Sequence, residues 1–129
     1  MIEKDDIREK IRHFTDLRVW REGHALAIRV YRETKKFPKE ERFGISSQMQ
    51  RAAVSITSNI AEGFGRVSVR EKLHFYTIAR GSLLELENQT LLSTDLGFLL
   101  REDSDVLRES LANTHKLINA LISSTRSRL

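Results

Sequence analysis

Apolar positions recur at helical spacing in four stretches of the chain, separated by short breaks. At 100° per residue, Trp20, Ala27, Ile28 and Tyr31 share one face of a first helix. Asp16 can cap it, and Phe37-Pro38 closes it near Lys36, because the residue before proline avoids helical geometry. Ile45, Met49, Ala52, Ile56 and Ile60 share a face of a second helix, which opens near Glu40 or Gly44 and ends about Glu62, with Gly63 and Gly65 as stop signals. Ser68 and Glu71 form a capping box for a third, running to about Leu96 with Gly97 as its stop. Leu107, Leu111, Thr114, Ile118 and Leu121 mark a fourth, capped by Asp103 or Ser104. No alternating β-branched run bounded by turns competes with this reading.

The pattern therefore predicts an all-α protein, an up-and-down antiparallel four-helix bundle over residues 14–125. Residues 1–13 are a charged N-terminal extension, helical or frayed, and 126–129 a tail. The third helix has a wide apolar arc: Phe75, Tyr76, Ala79, Leu83, Leu86 and Thr90, extended by Leu73, Leu84 and Leu91. Val54 and Ala61 likewise lie beyond the core stripe of the second helix. Helices apolar on two sides point to a partner surface, hence to an oligomer.

Gly81 falls inside the third helix, where glycine costs about 1 kcal/mol relative to alanine. One offset is close backbone approach, with Ala79, Gly81 and Ser82 facing Ala52, Ala53, Ser55 and Ser58; the alternative is an exposed glycine that the helix tolerates. Beside the core stripe of the second helix runs a polar row, Arg51, Ser55, Asn59, Glu62 and Arg66. It reads as a hydrogen-bonded network setting the register of the second and third helices, with Arg80 or Glu85 as further partners, or as a ligand or RNA contact.

Composition narrows the chemistry. The chain has no cysteine, which excludes disulfides, thiolate metal sites and cysteine nucleophiles and fits a reducing cytosol. It has no run of 18 apolar residues and no apolar signal core at its start, so a cytoplasmic protein without a membrane partner is expected. The net charge of +4 is unevenly spread: residues 1–43 hold 12 basic and 9 acidic groups, 44–80 hold 5 and 2, and 81–129 hold 5 and 7. Within the basic part, Arg18, Arg21, Arg29, Arg32 and Lys36 recur at three- and four-residue spacing, with Ala25 filling the gap. This row spans about 27 Å of helix and can track a nucleic-acid backbone; flanked by Glu22 and Glu33, which weaken its field, it reads at least as well as a solvated face.

Signals for catalysis are weak. Glu71-x-x-His74 matches half of a di-iron motif, but one copy on a polar face does not make a metal site, and none is expected. Gly63-Phe64-Gly65 follows a helix, lacks the third glycine of a dinucleotide loop and sits where carbonyls repel phosphate. Ser55, Ser58 and Ser82 have no adjacent histidine base. Arg108 and His115 match the Arg-x(4 to 6)-His spacing of helical ribonucleases, a short pattern that Arg8/His13 and Arg18/His24 also satisfy. No cofactor and no small-molecule substrate are expected.

Several segments together resemble a known family. Phe14-Thr15-Asp16-Leu17-Arg18-Val19-Trp20, Phe37-Pro38-x-x-Glu41, Gln48-x-x-Arg51-Ala52-Ala53, Asn59-Ile60-Ala61-Glu62-Gly63 and Arg80-Gly81-Ser82-x-x-Glu85 are similar to proteins encoded in intervening sequences of 23S ribosomal RNA genes. The resemblance covers about residues 14–122, and extends more distantly to the accessory protein of diversity-generating retroelements. It implies a bacterial four-helix bundle that assembles as a ring-like homopentamer, with no known enzymatic activity and a suspected nucleic-acid role. Arg51, Asn59, Glu62, Gly63, Arg80, Gly81 and Glu85 are its signature residues here. Thr57 departs from the pattern, standing where relatives often carry proline. The resulting expectation is a non-enzymatic oligomer binding RNA or a nucleoprotein through the basic row; the alternatives are a protein-interaction scaffold and an Arg108/His115 ribonuclease.

Overall fold

A computed structural model describes residues 10–129, so most of the N-terminal extension, Met1 to Glu9, lies outside the described residues. Four helices follow one another: α1 (Arg18–Thr34), α2 (Ile45–Phe64), α3 (Val69–Asp95) and α4 (Arg101–Arg126), with single 3-10 turns at Phe14–Asp16 and Lys39–Glu41 and no strand among the described residues. α1 packs on α2 and α4, and α3 on α2 and α4, while the diagonal pairs do not approach. Short connections between successive neighbours make this an up-and-down bundle.

Three helix ends differ from the sequence reading, each for a local reason. Asp16 accepts from the backbone N–H of Arg12 (2.9 Å) and His13 (3.0 Å), so it closes the 3-10 turn, and α1 starts two residues later without a side-chain cap. Those two N–H donors hold the Asp16 carboxyl below its usual pKa. α4 opens at Arg101 instead of after Asp103 or Ser104, because Phe98 and Leu99 turn back to donate to the Ser93 carbonyl. Glu102 and Asp103 then sit in its first turn, where they complement the helix dipole. α2 continues through Gly63 to Phe64, so only Gly65 acts as its stop. Ser68 does cap α3 by accepting from Glu71 N at 3.1 Å, and Gly97 ends it with φ +82°, a value suited to glycine.

The core confirms the stripes of α2 and most of those of α3 and α4, and corrects that of α1. Met49, Ala52, Ile56 and Ile60 are buried, as are Tyr76, Ala79, Leu83, Leu86, Leu107, Leu111 and Ile118. On α1 the core-facing buried residues are Val19, Gly23, Leu26 and Val30, with Glu33 and Thr34 buried near its end, whereas Ile28 and Tyr31 are 41% and 46% exposed. Two apolar rows with the same periodicity lie side by side on this helix, and period alone cannot choose between them. Gly23 helps decide: a Cβ there would lie 3.1 Å from the Thr57 Cγ2, so this face lets α1 approach α2 closely.

The seam between α2 and α3 is the most extensive helix contact. Ala52, Ala53, Ala79 and Ser82 are all buried, and the Ser55 and Ser82 hydroxyls lie 2.8 Å apart. The glycine that permits close approach is Gly63, where a Cβ would fall 2.7 Å from the Tyr76 ring. Gly81 is exposed, with nothing within 4 Å of a Cβ, which corrects the close-packing reading of that residue.

Candidate nucleic-acid interface

The five cations of the α1 row occupy one side of the helix but are not equivalent. Arg18 and Arg32 are exposed and make no hydrogen bond or ion pair among the described residues. Arg21 donates from Nη1 to the Thr15 and Asp16 carbonyls, 3.1 Å each, which ties it to the preceding turn. Arg29 is half-buried, and its Nε is fully covered without a partner. Lys36 pairs with Glu33 at 3.2 Å, so an otherwise buried carboxylate offsets much of its field.

Beside this row lies a groove of about 590 Å³ between α1 and α2, which the α1 core assignment concealed. Ala27, Ile28, Tyr31 and Val54 give it an apolar floor, Arg32 and Lys35 a cationic rim, and His24, Gln50 and Thr57 polar edges. Among the described residues no carboxylate lines it. His24 stacks on Trp20 at 4.6 Å and 15°, and Trp20 in turn rests against Phe14 at 5.4 Å. The signal for this groove was present in the sequence: His24 and Lys35 fall on the face first given to the core, where two ionisable groups are out of place.

A second groove of about 590 Å³ separates α3 from α4 and holds both Arg108 and His115. Glu87, Asp105 and Glu109 line it with Lys116, so its carboxylates outnumber its permanent cations. Such a field disfavours a phosphodiester.

The polar row of α2 divides. Asn59 donates to the Ser55 carbonyl (2.8 Å) and hydroxyl (3.0 Å), and Ser55 meets Ser82, so these three form the link between α2 and α3. Glu62 pairs with Arg66 at 2.6 Å on the surface, and Arg51 and Glu85 are exposed. Arg80 donates to Asn119 of α4 at 3.1 Å. The expected network with Arg51, Glu62, Arg80 and Glu85 is thus corrected to a smaller one: the longer side chains point away from the narrow seam that alanine and serine create. At the end of α2, the Lys72 ammonium donates to the Phe64 carbonyl at 2.8 Å and reaches Gly63 O at 3.4 Å. A cation on those carbonyls accords with the polarity that argued against phosphate there. Burial lowers the Lys72 pKa and raises that of Tyr76. Glu71 and His74 are both exposed, and no cluster of metal-ligating side chains occurs among the described residues. No helix among them is long and apolar enough to cross a membrane.

The fold and the cationic α1 side define a small all-α bundle with one basic flank. The chain belongs to the 23S rRNA-intervening sequence protein family, which it matches over residues 15–120. It is similar to the crystal structure of a protein with unknown function from the S23 ribosomal protein family of Bacteroides thetaiotaomicron VPI-5482, at 24% identity and a TM-score of 0.76. That likeness covers 81% of this chain and 95% of the other, and supports the bundle fold. No curated protein matches the chain.

Proposed function

We propose that the protein is a non-enzymatic, cytoplasmic oligomer that binds RNA or a nucleoprotein through the α1 side of the bundle. The observation that carries this reading is the charge contrast between the two sides. Arg32 and Lys35 line a groove in which no carboxylate occurs among the described residues, and Arg18 adds an exposed charge elsewhere on the α1 side, while the α3/α4 groove holds three carboxylates. A polyanion is attracted to the first and repelled by the second. Arg29 and Arg21 add charge from more fixed positions, and Lys36 adds least because Glu33 opposes it.

Self-association is part of the proposal. Leu84, Leu91 and Leu92 on α3, with Leu96 just past its end, are 53%, 41%, 46% and 54% exposed, leucines that a second copy would cover. Two different faces joined head to tail close into a ring, and five subunits are expected from the family resemblance.

The test is a salt titration of RNA binding, together with the mass of the native assembly. Binding should weaken steeply with salt and fall in the Arg18→Glu, Arg29→Glu, Arg32→Glu variant, with the helical spectrum unchanged. A variant that binds like the parent overturns the assignment of the face. A protein that binds no nucleic acid at moderate salt is an interaction scaffold instead, and a monomeric mass removes the ring.

A further inference from the structure

We propose that the α1/α2 groove holds a single-stranded segment of nucleic acid, with bases stacked on His24 and Tyr31 and phosphates met by Arg32 and Lys35. This rests on the RNA-binding reading above and adds to it the form of the strand and the residues that recognise it.

Three observations converge. First, His24 is a mounted ring: it stacks on Trp20 at 4.6 Å, and Phe14 packs against Trp20 at 5.4 Å in a tilted geometry, so a base landing on His24 meets a ring held in place by other rings. Second, Tyr31 follows His24 by seven residues, two turns along the same face and about 10 Å away, and is 46% exposed. Ile28 and Val54 floor the space between them, which suits the flat apolar faces of bases. Third, Arg32 and Lys35 make the rim cationic, no carboxylate lines it among the described residues, and the groove continues past Tyr31 toward Arg51. Two rings followed by two cations along one groove match what an unpaired strand offers, bases to stack and phosphates to pair.

A duplex offers only half of this. Its phosphates can follow the α1 cations, but its bases are stacked on one another and cannot reach His24 or Tyr31. The groove residues should therefore discriminate between the two forms of RNA, whereas the arginine row should not.

The experiment compares one RNA of about 12 nucleotides, single-stranded and annealed to its complement, by fluorescence anisotropy with the full chain. The His24→Ala, Tyr31→Ala double variant should bind the single strand about tenfold more weakly and the duplex within about twofold of the parent. Tyr31→Phe keeps the ring and should retain binding. Trp20, the chain's one tryptophan, should change its emission when the single strand binds and not when the duplex does. The all-deoxy strand, run alongside, tells whether RNA or DNA supplies the segment. Equal loss of both forms, or loss of neither, overturns the proposal while leaving the phosphate reading in place. A double variant that changes the native mass but keeps its RNA affinity assigns the groove to a second copy and also overturns it. A parent protein that binds neither form removes the RNA-binding reading itself.

Discussion

The α1/α2 and α3/α4 grooves are alike in size, about 590 Å³ each, and opposite in character. One combines an apolar floor and stacked rings with cations alone; the other sets Glu87, Asp105 and Glu109 against Arg108 and Lys116. The Arg108/His115 pair that resembled a ribonuclease motif lies in the second, where a phosphate would meet carboxylates first. Co-location of an arginine and a histidine is thus not enough; the net field around them decides whether an anion arrives. The groove with the favourable field is the one whose aromatic and aliphatic residues looked like core.

The largest expected effect separates the two sides directly. Reversing Arg18, Arg29 and Arg32 should weaken RNA binding about a hundredfold at 0.15 M salt and reduce the salt slope by about three. Reversing Arg108 and Lys116 in the other groove should leave binding within about twofold, and His115→Ala should leave RNA as intact as the parent does. If the second pair matters as much as the first, the contrast between grooves fails.

The seam between α2 and α3 keeps the grooves apart, and two glycines probe it in opposite directions. Gly63→Ala drives a Cβ into the Tyr76 ring and should destabilise the protein by about 1–3 kcal/mol in thermal or denaturant unfolding. Gly81→Ala meets open space on a helix and should stabilise it by about 0.5–1 kcal/mol. A stabilising Gly63 variant, or a destabilising Gly81 variant, would mean that the seam runs along a different face of α3. Ser82→Ala should lie between them in magnitude, at a loss of about 1 kcal/mol, because it removes the hydroxyl that meets Ser55.

The smallest effect concerns the turn that sets Phe14 under Trp20. The Asp16 carboxyl has its pKa lowered from 3.8 by the Arg12 and His13 N–H donors, so it contributes stability above that value. That contribution is lost as pH falls below 3.8 through the folded-state value. Asp16→Asn should flatten this part of the acid unfolding curve, and it should disturb Trp20 emission before it alters global unfolding.

Much of the bundle was legible in the chain before any coordinates. Periods of three and four, Pro38, Ser68 and Gly97 mark elements by local chemistry alone, and they placed four helices with errors of a few residues at their ends. The stripe of α2 was readable because most of its flanking positions are polar or small, Val54 being an exposed exception. On α1 two apolar rows compete, and period alone does not distinguish Val19-Leu26-Val30 from Trp20-Ala27-Tyr31, although His24 and Lys35 mark the second row as the more polar. Membership of the family was equally legible, because the resemblance rests on linear strings such as Asn59 to Gly63, which lie within the matched residues 15–120.

Secondary structure, the order of the helices and the basic bias of the first two thirds are properties of neighbouring residues, and the sequence by itself determined them. Which row of α1 turns inward, which glycine sits against a ring, and which cations keep their charge unopposed depend on residues far apart in the chain. Gly63 meets Tyr76, Gly23 meets Thr57, and Arg80 reaches Asn119 only when the helices pack. The α1/α2 groove is likewise decided by tertiary structure: its floor and rim come from two helices, and its openness from the choice of the other row for the core.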